Sequence, residues 1–278
     1  MLLDGGAEVT LIGFYRGDTF PETLYGCPVI PLGQTYDGKF LHRISAILTC
    51  MIRIRTYQDL FRQSDVIIAR TLEMLAIAVR GRSLFPQPPA LVYESLDIHR
   101  LLLNTGMIGK ILRNLEGWLT QRARLVITSS PSFIHAYFQK ISSVTCPILL
   151  IENKVYESSG TPDPVLSRSP ISSVSPAPPW RIGWFGAIRC RKSLAILKNL
   201  VTAMDGKVEV IIRGKPALDQ FDDFYADTSH IQGLTYLGPY KNPDDLEKIY
   251  TDVHFTWAID MFEEGLNSSW LLPNRIYE

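Results

Sequence analysis

Three cations follow a predicted strand at the point where a helix is predicted to begin. Arg189, Arg191 and Lys192 come shortly after the apolar run that ends at Phe185, with Gly186 between them. A helix N-terminus has unpaired N–H groups and the positive end of the helix dipole, so cations are unfavourable there unless an anion neutralises them. The pattern therefore predicts that a diphosphate binds at this point. A solvated basic loop is the alternative.

A second group of candidate residues lies in an acidic loop after the predicted strand 253–257. A carboxylate accepts two hydrogen bonds from a vicinal diol, and successive backbone N–H groups can hold a phosphate or a sugar hydroxyl. Such a loop at the carboxyl end of a strand, followed by a helix that starts near Leu271, is where open α/β sheets bind phosphorylated ligands. The alternative for the glutamates is a solvated acidic turn. The candidates are Glu263, Glu264, Gly265, Leu266, Asn267, Asn274 and Glu278.

A third group leaves the end of a strand in the first half of the chain. Asp97 and His99 follow the predicted strand 90–93, and Glu94 is a further candidate. Polar side chains at such a strand end are predicted to face a ligand cleft. For His99 the alternative is a structural hydrogen bond.

Composition narrows the class of protein. The chain has 278 residues, 46% of them hydrophobic and 20% charged, with a formal net charge of zero. This is typical of a globular protein and does not favour a nucleic-acid partner. No apolar run reaches the roughly 18 residues of a spanning helix, and the first residues do not resemble a signal peptide. The four cysteines lie far apart, which predicts reduced thiols and a cytoplasmic protein.

The order of apolar runs predicts the fold. Short β-branched runs alternate with helical patterns on both sides of residues 157–180, a stretch with six prolines and seven serines. The nine runs predicted to be strands are residues 9–13, 66–69, 90–93, 125–128, 148–151, 181–185, 208–212, 234–237 and 253–257. Nearly continuous apolar strands separated by helices are typical of parallel sheets that are covered on both faces. We therefore predict an α/β protein with two Rossmann-like domains that face a cleft: residues 1–156, a linker at 157–180, and residues 181–278. Both domains look incomplete, the first without its first strand and the second without its closing helices.

The order and spacing of these pieces resemble the GT-B glycosyltransferases of family 4, in particular the branch that builds exopolysaccharides such as succinoglycan. The resemblance spans nearly the whole chain and includes RIGWFGAIRCRK (181–192) and PNRIYE (273–278). The other matching segments are residues 5–14, 92–100, 123–130, 151–154, 236–240 and the loop before 273.

The resemblance implies a role for each candidate. The family has an arginine directly after the glycine and a lysine further on, both on the donor pyrophosphate; here Ala187 follows Gly186, so Arg189 is expected to replace that arginine and Lys192 to be the lysine. Glu278 is expected to bind the ribose and the 263–267 loop to face the sugar and phosphates. Asp97 and His99 are expected to contact the donor sugar or the acceptor.

The sequence and the resemblance together predict a retaining hexosyltransferase. It would move a sugar, with glucose as the first candidate, from a nucleotide diphosphate sugar to a lipid-linked saccharide, with Arg189, Arg191 and Lys192 stabilising the leaving diphosphate. Neither a cofactor nor a metal is expected, because there is no suitably placed Asp-x-Asp motif. The alternative is a truncated or degenerate relative that binds ligands without catalysis.

A basic segment in the middle of the chain contains a predicted amphipathic helix whose apolar side has two possible partners. Residues 43–124 contain twelve Lys/Arg and six Asp/Glu, a net charge of +6. Within this segment, the apolar residues Ile108, Ile111, Leu112, Leu115, Trp118 and Leu119 follow a helical spacing. One interpretation is a helix that packs its apolar side on the sheet; the other is contact with an anionic membrane surface, where a lipid-linked acceptor would lie.

Overall fold

The computed structural model describes residues 2–36, 40–153 and 174–278. Two compact units are present, unit 1 (residues 1–152) and unit 2 (residues 153–278). Most of the predicted linker falls in residues 154–173, which lie outside the described residues, so the linker remains a prediction. Trp180, the last residue of the predicted linker, already belongs to a strand of unit 2.

Unit 1 contains two sheets. The first has the order β1-β3-β2, with β1 (Leu11–Tyr15) parallel to β3 (Cys27–Gln34) and β2 (Thr23–Leu24) antiparallel to it. The second is parallel throughout and follows chain order, β4 (Val66–Ala69), β5 (Ala90–Ser95), β6 (Leu125–Thr128) and β7 (Ile148–Leu150). Parallel neighbours need a crossover, and helices supply it.

The helices of unit 1 bury one face of the parallel sheet. They are α1 (Phe40–Ile52), α2 (Gln58–Gln63), α3 (Leu72–Arg82), α4 (Arg100–Leu103) and α5 (Met107–Thr120). Leu91 and Val126 on the strands and Leu75 on α3 are completely buried. On the opposite face of the sheet, Val66, Ile68 and Leu149 are exposed, so the two faces differ strongly in burial.

Unit 2 has one parallel sheet in the order β10-β9-β8-β11. Its strands are β8 (Trp180–Ile188), β9 (Val208–Pro216), β10 (Leu234–Tyr236) and β11 (Phe255–Thr256). The helices are α6 (Arg191–Ala203), α7 (Phe224–Ser229) and α8 (Leu246–Thr251). Apolar residues pack on both faces, around Trp184, Val210 and Ile212 on one side and around Phe185 and Ile249 on the other.

The predicted α/β class with parallel sheets is confirmed. Each of the nine predicted strands is present, two of them with the predicted bounds and the others with ends shifted by up to four residues. Two strands of unit 1, β2 and β3, were not predicted. The predicted helix start at Leu271 is wrong. Residues before Asn274 are not helical, because Pro273 is extended (φ −62°, ψ 139°), and only a 3-10 turn, Asn274–Ile276, follows it.

The turn at residues 2–7 has the hydrogen bonds of a helix C-terminus. Ala7 N donates to Leu2 O at 3.1 Å, and Gly6 N donates to Leu3 O at 2.9 Å. Gly6 is in the left-handed region (φ +83°), so the segment forms a Schellman motif with Gly6 at the position that glycine favours.

None of the helices in the described ranges is both long enough and apolar enough to cross a bilayer.

Candidate functional site

Three glycines form the carboxyl edge of neighbouring strands in unit 2. Gly186 on β8 pairs in register with Gly214 on β9, and Gly214 N donates to Gly238 O, just after β10, at 3.0 Å. All three have a positive φ. A Cβ on Gly214 would lie 1.8 Å from Gly186 O, whereas a Cβ on Gly238 would meet nothing within 4 Å. The edge is therefore closely packed along the sheet but open beyond Gly238, as expected where a ligand approaches the backbone.

The helix that follows β8 begins at Arg191. The Sγ atom of Cys190 accepts a hydrogen bond from Ser193 N at 3.3 Å, so a buried thiol acts as the N-cap. Arg189 consequently lies before the helix, while Arg191 and Lys192 are in its first turn. The predicted strand, glycine and helix start are all present around the three cations.

Arg189 is held by a nearly buried carboxylate. Its Nη2 donates to Asp260 Oδ2 at 3.0 Å, and its guanidinium lies over the Phe262 ring, 4.8 Å from the centroid. The Asp260 side chain is only 8% exposed; its Oδ1 accepts from Phe262 N at 2.8 Å and from Ser268 Oγ at 3.3 Å. Burial alone would raise the pKa of Asp260, but these hydrogen bonds and the Arg189 charge hold it below its usual value.

Lys192 forms an ion pair with Glu264, which lies in the same 257–278 loop as Asp260. Both side chains of this pair are about half exposed. Arg191 instead donates to Asp222 Oδ1 at 2.9 Å and to the Gln220 carbonyl. The structure therefore brings Arg189 and Lys192 to the 257–278 loop and directs Arg191 to a different segment. None of the three is merely solvated, since each has an acidic partner.

The loop itself is closed by its serines. Glu263 N donates to Ser268 Oγ at 3.0 Å, and Gly265 N donates to Ser269 Oγ at 2.7 Å. Leu266 N donates to Glu263 O at 3.0 Å, so the N–H groups of Gly265 and Leu266, which were predicted to hold a phosphate, are bonded within the loop. Asn267 and Ser268 are buried. The prediction that this backbone binds a phosphate would require these bonds to be exchanged.

Glu278 lies beside two residues of the α8 region. Its carboxylate accepts from Tyr250 Oη at 3.2 Å and from Asn242 Nδ2 at 3.1 Å. Burial and the charge of Glu278 raise the pKa of Tyr250, which therefore remains a donor. Asn274, another candidate, accepts from Asn153 Nδ2 at 3.0 Å through its own Oδ1.

The candidates of unit 1 lie at and just after the end of β5. His99 is exposed, and its Nδ1 accepts from Leu101 N at 3.3 Å, which caps α4 and matches the structural alternative for this residue. Asp97 is also exposed. Glu94 forms an ion pair with Arg70 at 2.5 Å. The assignments of all candidate site residues remain predictions.

Two residues of the loop were missed by the sequence reasoning. Asp260 fixes Arg189, and Arg275 is partly buried, with its Nη1 donating to Trp257 O at 3.3 Å. Burial lowers the pKa of Arg275, while the Asp260 charge acts in the opposite direction. Both lie in the stretch singled out from the sequence, but a local pattern does not show which of several acids and cations will be buried.

Unit 1 contains a buried cluster around Glu116. This carboxylate is completely buried and accepts from Tyr137 Oη at 2.6 Å and from Tyr93 Oη at 3.3 Å. Burial raises the pKa of Glu116 to about 7, because the two phenols only partly offset the loss of water. The residue lies on the buried side of α5.

Helix α5 is present as predicted, but most of its apolar residues do not face the sheet. Ile108, Ile111, Leu115 and Trp118 are 40–62% exposed, whereas Glu116 and Leu119 are buried. The interpretation that this apolar stripe packs on the sheet is therefore wrong for these four residues. Small residues, Gly109 and Gly117, let the other side of the helix approach its neighbours closely: a Cβ on Gly117 would lie 2.5 Å from Ser143 O.

Across the described ranges, no group of three or more His, Cys, Asp or Glu residues is arranged to hold a metal ion.

Comparison with known proteins gives one close relative and several structures of the same fold. No protein-family model matches the chain. The succinoglycan biosynthesis protein ExoL of Rhizobium meliloti (strain 1021) is 49% identical over 277 residues, which are 100% of this chain and 68% of that protein. The chain thus spans about two thirds of this relative.

Among solved structures, sucrose-phosphate synthase from Thermosynechococcus elongatus has a TM-score of 0.64 at 12% identity, with 92% of this chain and 66% of that chain covered. Anabaena HepE in complex with UDP-glucose has a TM-score of 0.53 at 15% identity, with 83% and 60% covered. The lipopolysaccharide outer core galactosyltransferase WaaB has a TM-score of 0.52 at 13% identity, with 86% and 61% covered.

At such low identity these structures show the fold alone, and that fold is GT-B, as the sequence resemblance predicts. The sequence similarity to ExoL is much stronger, since it extends over the whole chain at 49% identity. The chain therefore belongs to the family of the succinoglycan biosynthesis protein ExoL, with the fold of a GT-B glycosyltransferase.

Proposed function

We propose that this protein is a retaining glycosyltransferase of exopolysaccharide assembly. It transfers a sugar, with glucose as the first candidate, from a nucleotide diphosphate sugar to a lipid-linked saccharide. The observation that carries the proposal is the position of Arg189 and Lys192: two cations next to the glycine edge of a parallel sheet, each paired with a carboxylate of the 257–278 loop. HepE, one of the structures of similar fold, was solved with UDP-glucose.

The chemistry follows from the charges. As the bond between the sugar and the diphosphate breaks, negative charge develops on the leaving phosphate, and fixed cations stabilise that charge. Arg189 is pre-oriented by Asp260 and Phe262 and needs little rearrangement. Lys192 must exchange Glu264 for the diphosphate, and this exchange costs little because the pair is exposed. Glu278, held by Tyr250 and Asn242, is the candidate for the ribose hydroxyls.

A donor-release assay tests the proposal. The protein is incubated with UDP-glucose, UDP-galactose or GDP-mannose and a lipid extract from an exopolysaccharide-producing bacterium. Release of the nucleoside diphosphate that requires the lipid fraction, together with a lipid product that keeps the anomeric configuration of the donor, is the expected result. Inversion of that configuration would contradict the retaining mechanism. Nucleotide binding without lipid-dependent release of any diphosphate would favour the non-catalytic alternative.

A membrane surface is the second partner in the proposal. The stripe on α5 exposes Ile108, Ile111, Leu115 and Trp118, and Arg122 stacks on Trp118 with its guanidinium 4.0 Å from the ring centroid. An apolar stripe with an aromatic residue and flanking cations is the usual pattern of a helix that lies on a lipid surface. Each Lys or Arg contributes about 1 kcal/mol on an anionic surface, and salt screens this attraction.

Co-sedimentation with liposomes tests this part. We expect binding to anionic vesicles that is reversible and falls with salt, and that is weakened by Ile111→Asp. The matched control is Ile196→Asp, an exposed isoleucine on α6 of unit 2, which should leave binding unchanged. Equal pelleting with anionic and neutral vesicles, or equal loss in both variants, would rule out the α5 surface.

A further inference from the structure

Arg213 is a cation inside the sheet of unit 2 for which the described residues provide no ion-pair partner. It lies near the carboxyl end of β9 and is half-buried, and its Nε–H is fully buried with no hydrogen-bond acceptor in the described part of the chain. Leaving a charged donor unbonded in a buried place is costly, so such a group calls for an explanation.

The other cations near this edge differ from Arg213. Arg189, Arg191 and Lys192 each have a carboxylate partner. Lys215, two positions further along the same strand, is exposed and therefore solvated. Among these five residues of unit 2, Arg213 alone combines burial with the lack of a described acceptor.

The position of Arg213 relates it to the candidate site. It pairs in register with Phe185 of β8, so both side chains lie on the same face of the sheet. On this face, Phe185 contacts Tyr240 and Tyr250, with ring centroids 6.5 and 5.2 Å apart, and Tyr250 is a donor to Glu278. Gly214 follows Arg213 directly and belongs to the glycine edge.

We propose that Arg213 binds a phosphate oxygen of the donor nucleotide. This inference rests on the proposed function and adds a binding residue to it. A guanidinium forms paired, charge-assisted hydrogen bonds with phosphate oxygens, and a half-buried guanidinium without a competing carboxylate loses little when it does so. The glycines of the edge beside it carry no side chains of their own, and a Cβ on Gly238 would meet nothing within 4 Å, so a diphosphate can approach the backbone there.

The first test is a series of titrations with UDP, UMP and uridine on the wild-type protein, Arg213→Ala and Lys215→Ala. Lys215→Ala is the matched control, because it removes the same charge from the same strand and the same face. We expect Arg213→Ala to weaken UDP binding at least tenfold, to leave uridine binding unchanged, and Lys215→Ala to have little effect. If both variants lost the same UDP affinity, the effect would come from the lost positive charge alone, and the proposal would be overturned.

The second test separates this inference from the proposed function. The side-chain Nε–H signal of Arg213, assigned by its loss in Arg213→Lys, is followed by nitrogen–proton NMR during addition of UDP or of inorganic pyrophosphate. A shift with both ligands is expected. If UDP binds without moving this signal, Arg213 has no phosphate role and the proposed function stands. If UDP does not bind and pyrophosphate moves the signal, Arg213 is an anion site and the nucleotide function is wrong; if UDP does not bind and pyrophosphate does not move the signal, both are wrong.

The third test distinguishes a ligand residue from a structural one. Without ligand, Arg213→Met should be at least as stable to heat as the wild type, since the substitution removes a buried donor that lacks an acceptor. Addition of UDP should then raise the melting temperature of the wild type and not that of Arg213→Met. A large loss of stability in the unliganded variant would indicate that Arg213 supports the fold instead.

Discussion

The pKa values of two buried carboxylates, Asp260 in unit 2 and Glu116 in unit 1, are shifted in opposite directions. The Asp260 side chain is 8% exposed and Glu116 is completely buried, so burial alone would raise the pKa of both. Asp260 has a guanidinium and a backbone N–H as donors, and its pKa is lowered. Glu116 has two phenols, and its pKa rises to about 7. A cation within hydrogen-bonding distance thus decides whether a buried acid keeps its charge.

The difference in charge between Asp260 and Glu116 matches their places, one in the candidate functional site and the other in the core of unit 1. Asp260 is ionised at neutral pH and fixes Arg189 at the loop, where a charge can act on a ligand. Glu116 lies near the point of losing its charge, and its phenol partners are themselves buried in unit 1. We therefore assign the first to the proposed chemistry and the second to the fold.

The largest expected effect comes from removing the cations that Asp260 and Glu264 hold. Arg189→Ala and Lys192→Ala should each raise the barrier to transfer by about 2–4 kcal/mol, a roughly 30- to 1000-fold loss of turnover, because each removes a charge that stabilises the leaving diphosphate. Steady-state turnover in the donor-release assay measures this. Arg191→Ala is the control, since Arg191 pairs with Asp222. If all three variants lose turnover equally, the segment acts only through its net charge.

The next effect concerns Glu116 and pH. Its folded pKa of about 7 lies above the ordinary value of 4.5, so the folded state binds more protons than the unfolded state between these values. The contribution of Glu116 to stability is therefore fully present below about pH 4.5 and is lost as pH rises through 7, by up to about 3 kcal/mol.

Urea unfolding of the wild type and Glu116→Gln between pH 5 and 8 tests this. The neutral variant should show a smaller decline in the free energy of unfolding over this range. Glu152→Gln is the control for removal of a carboxylate in the same unit that is not buried in the core. Identical slopes in the wild type and Glu116→Gln would mean that Glu116 titrates normally.

The smallest expected effects are on the free energy of unfolding, and they compare the ion pair Arg189–Asp260 with the ion pair Lys192–Glu264. Arg189→Ala leaves a nearly buried carboxylate without its cation and should cost about 1–3 kcal/mol of unfolding free energy. Lys192→Ala breaks an exposed pair and should change it by less than about 0.5 kcal/mol. Denaturant unfolding of the two variants side by side gives both values. A larger cost for Lys192→Ala would reverse the assigned order of the pairs.

Much of the fold was predictable because it depends on local pattern. Apolar runs such as Val66–Ala69 and Leu125–Thr128 became strands with the predicted bounds. Strand β3 was missed because Pro28 and Pro31 interrupt its pattern, and proline is a poor strand residue except at special positions. A helix was predicted to start near Leu271, but Pro273 is extended and only the 3-10 turn Asn274–Ile276 follows it.

The candidate site was predictable in its residues and not in its contacts. Arg189 and Lys192 were found by their spacing after a glycine, but their partners lie 71 and 72 positions away, and no local pattern contains such pairs. The helical period of α5 was likewise visible, whereas the side of the helix that faces the core depends on its glycines and on the neighbouring elements. Arg213 lies in an apolar strand, and no sequence pattern singled it out as a ligand-binding residue.

The exposed position of Trp118 also makes α5 optically distinguishable. Trp118 is one of five tryptophans and is 51% exposed, whereas Trp184 in the core of unit 2 is 1% exposed. An indole in water emits at longer wavelength and is quenched by dissolved iodide, and the Arg122 guanidinium on its face attracts that anion. The helix therefore has an intrinsic fluorophore, whose blue shift and protection from quencher would report its transfer from water to any apolar surroundings.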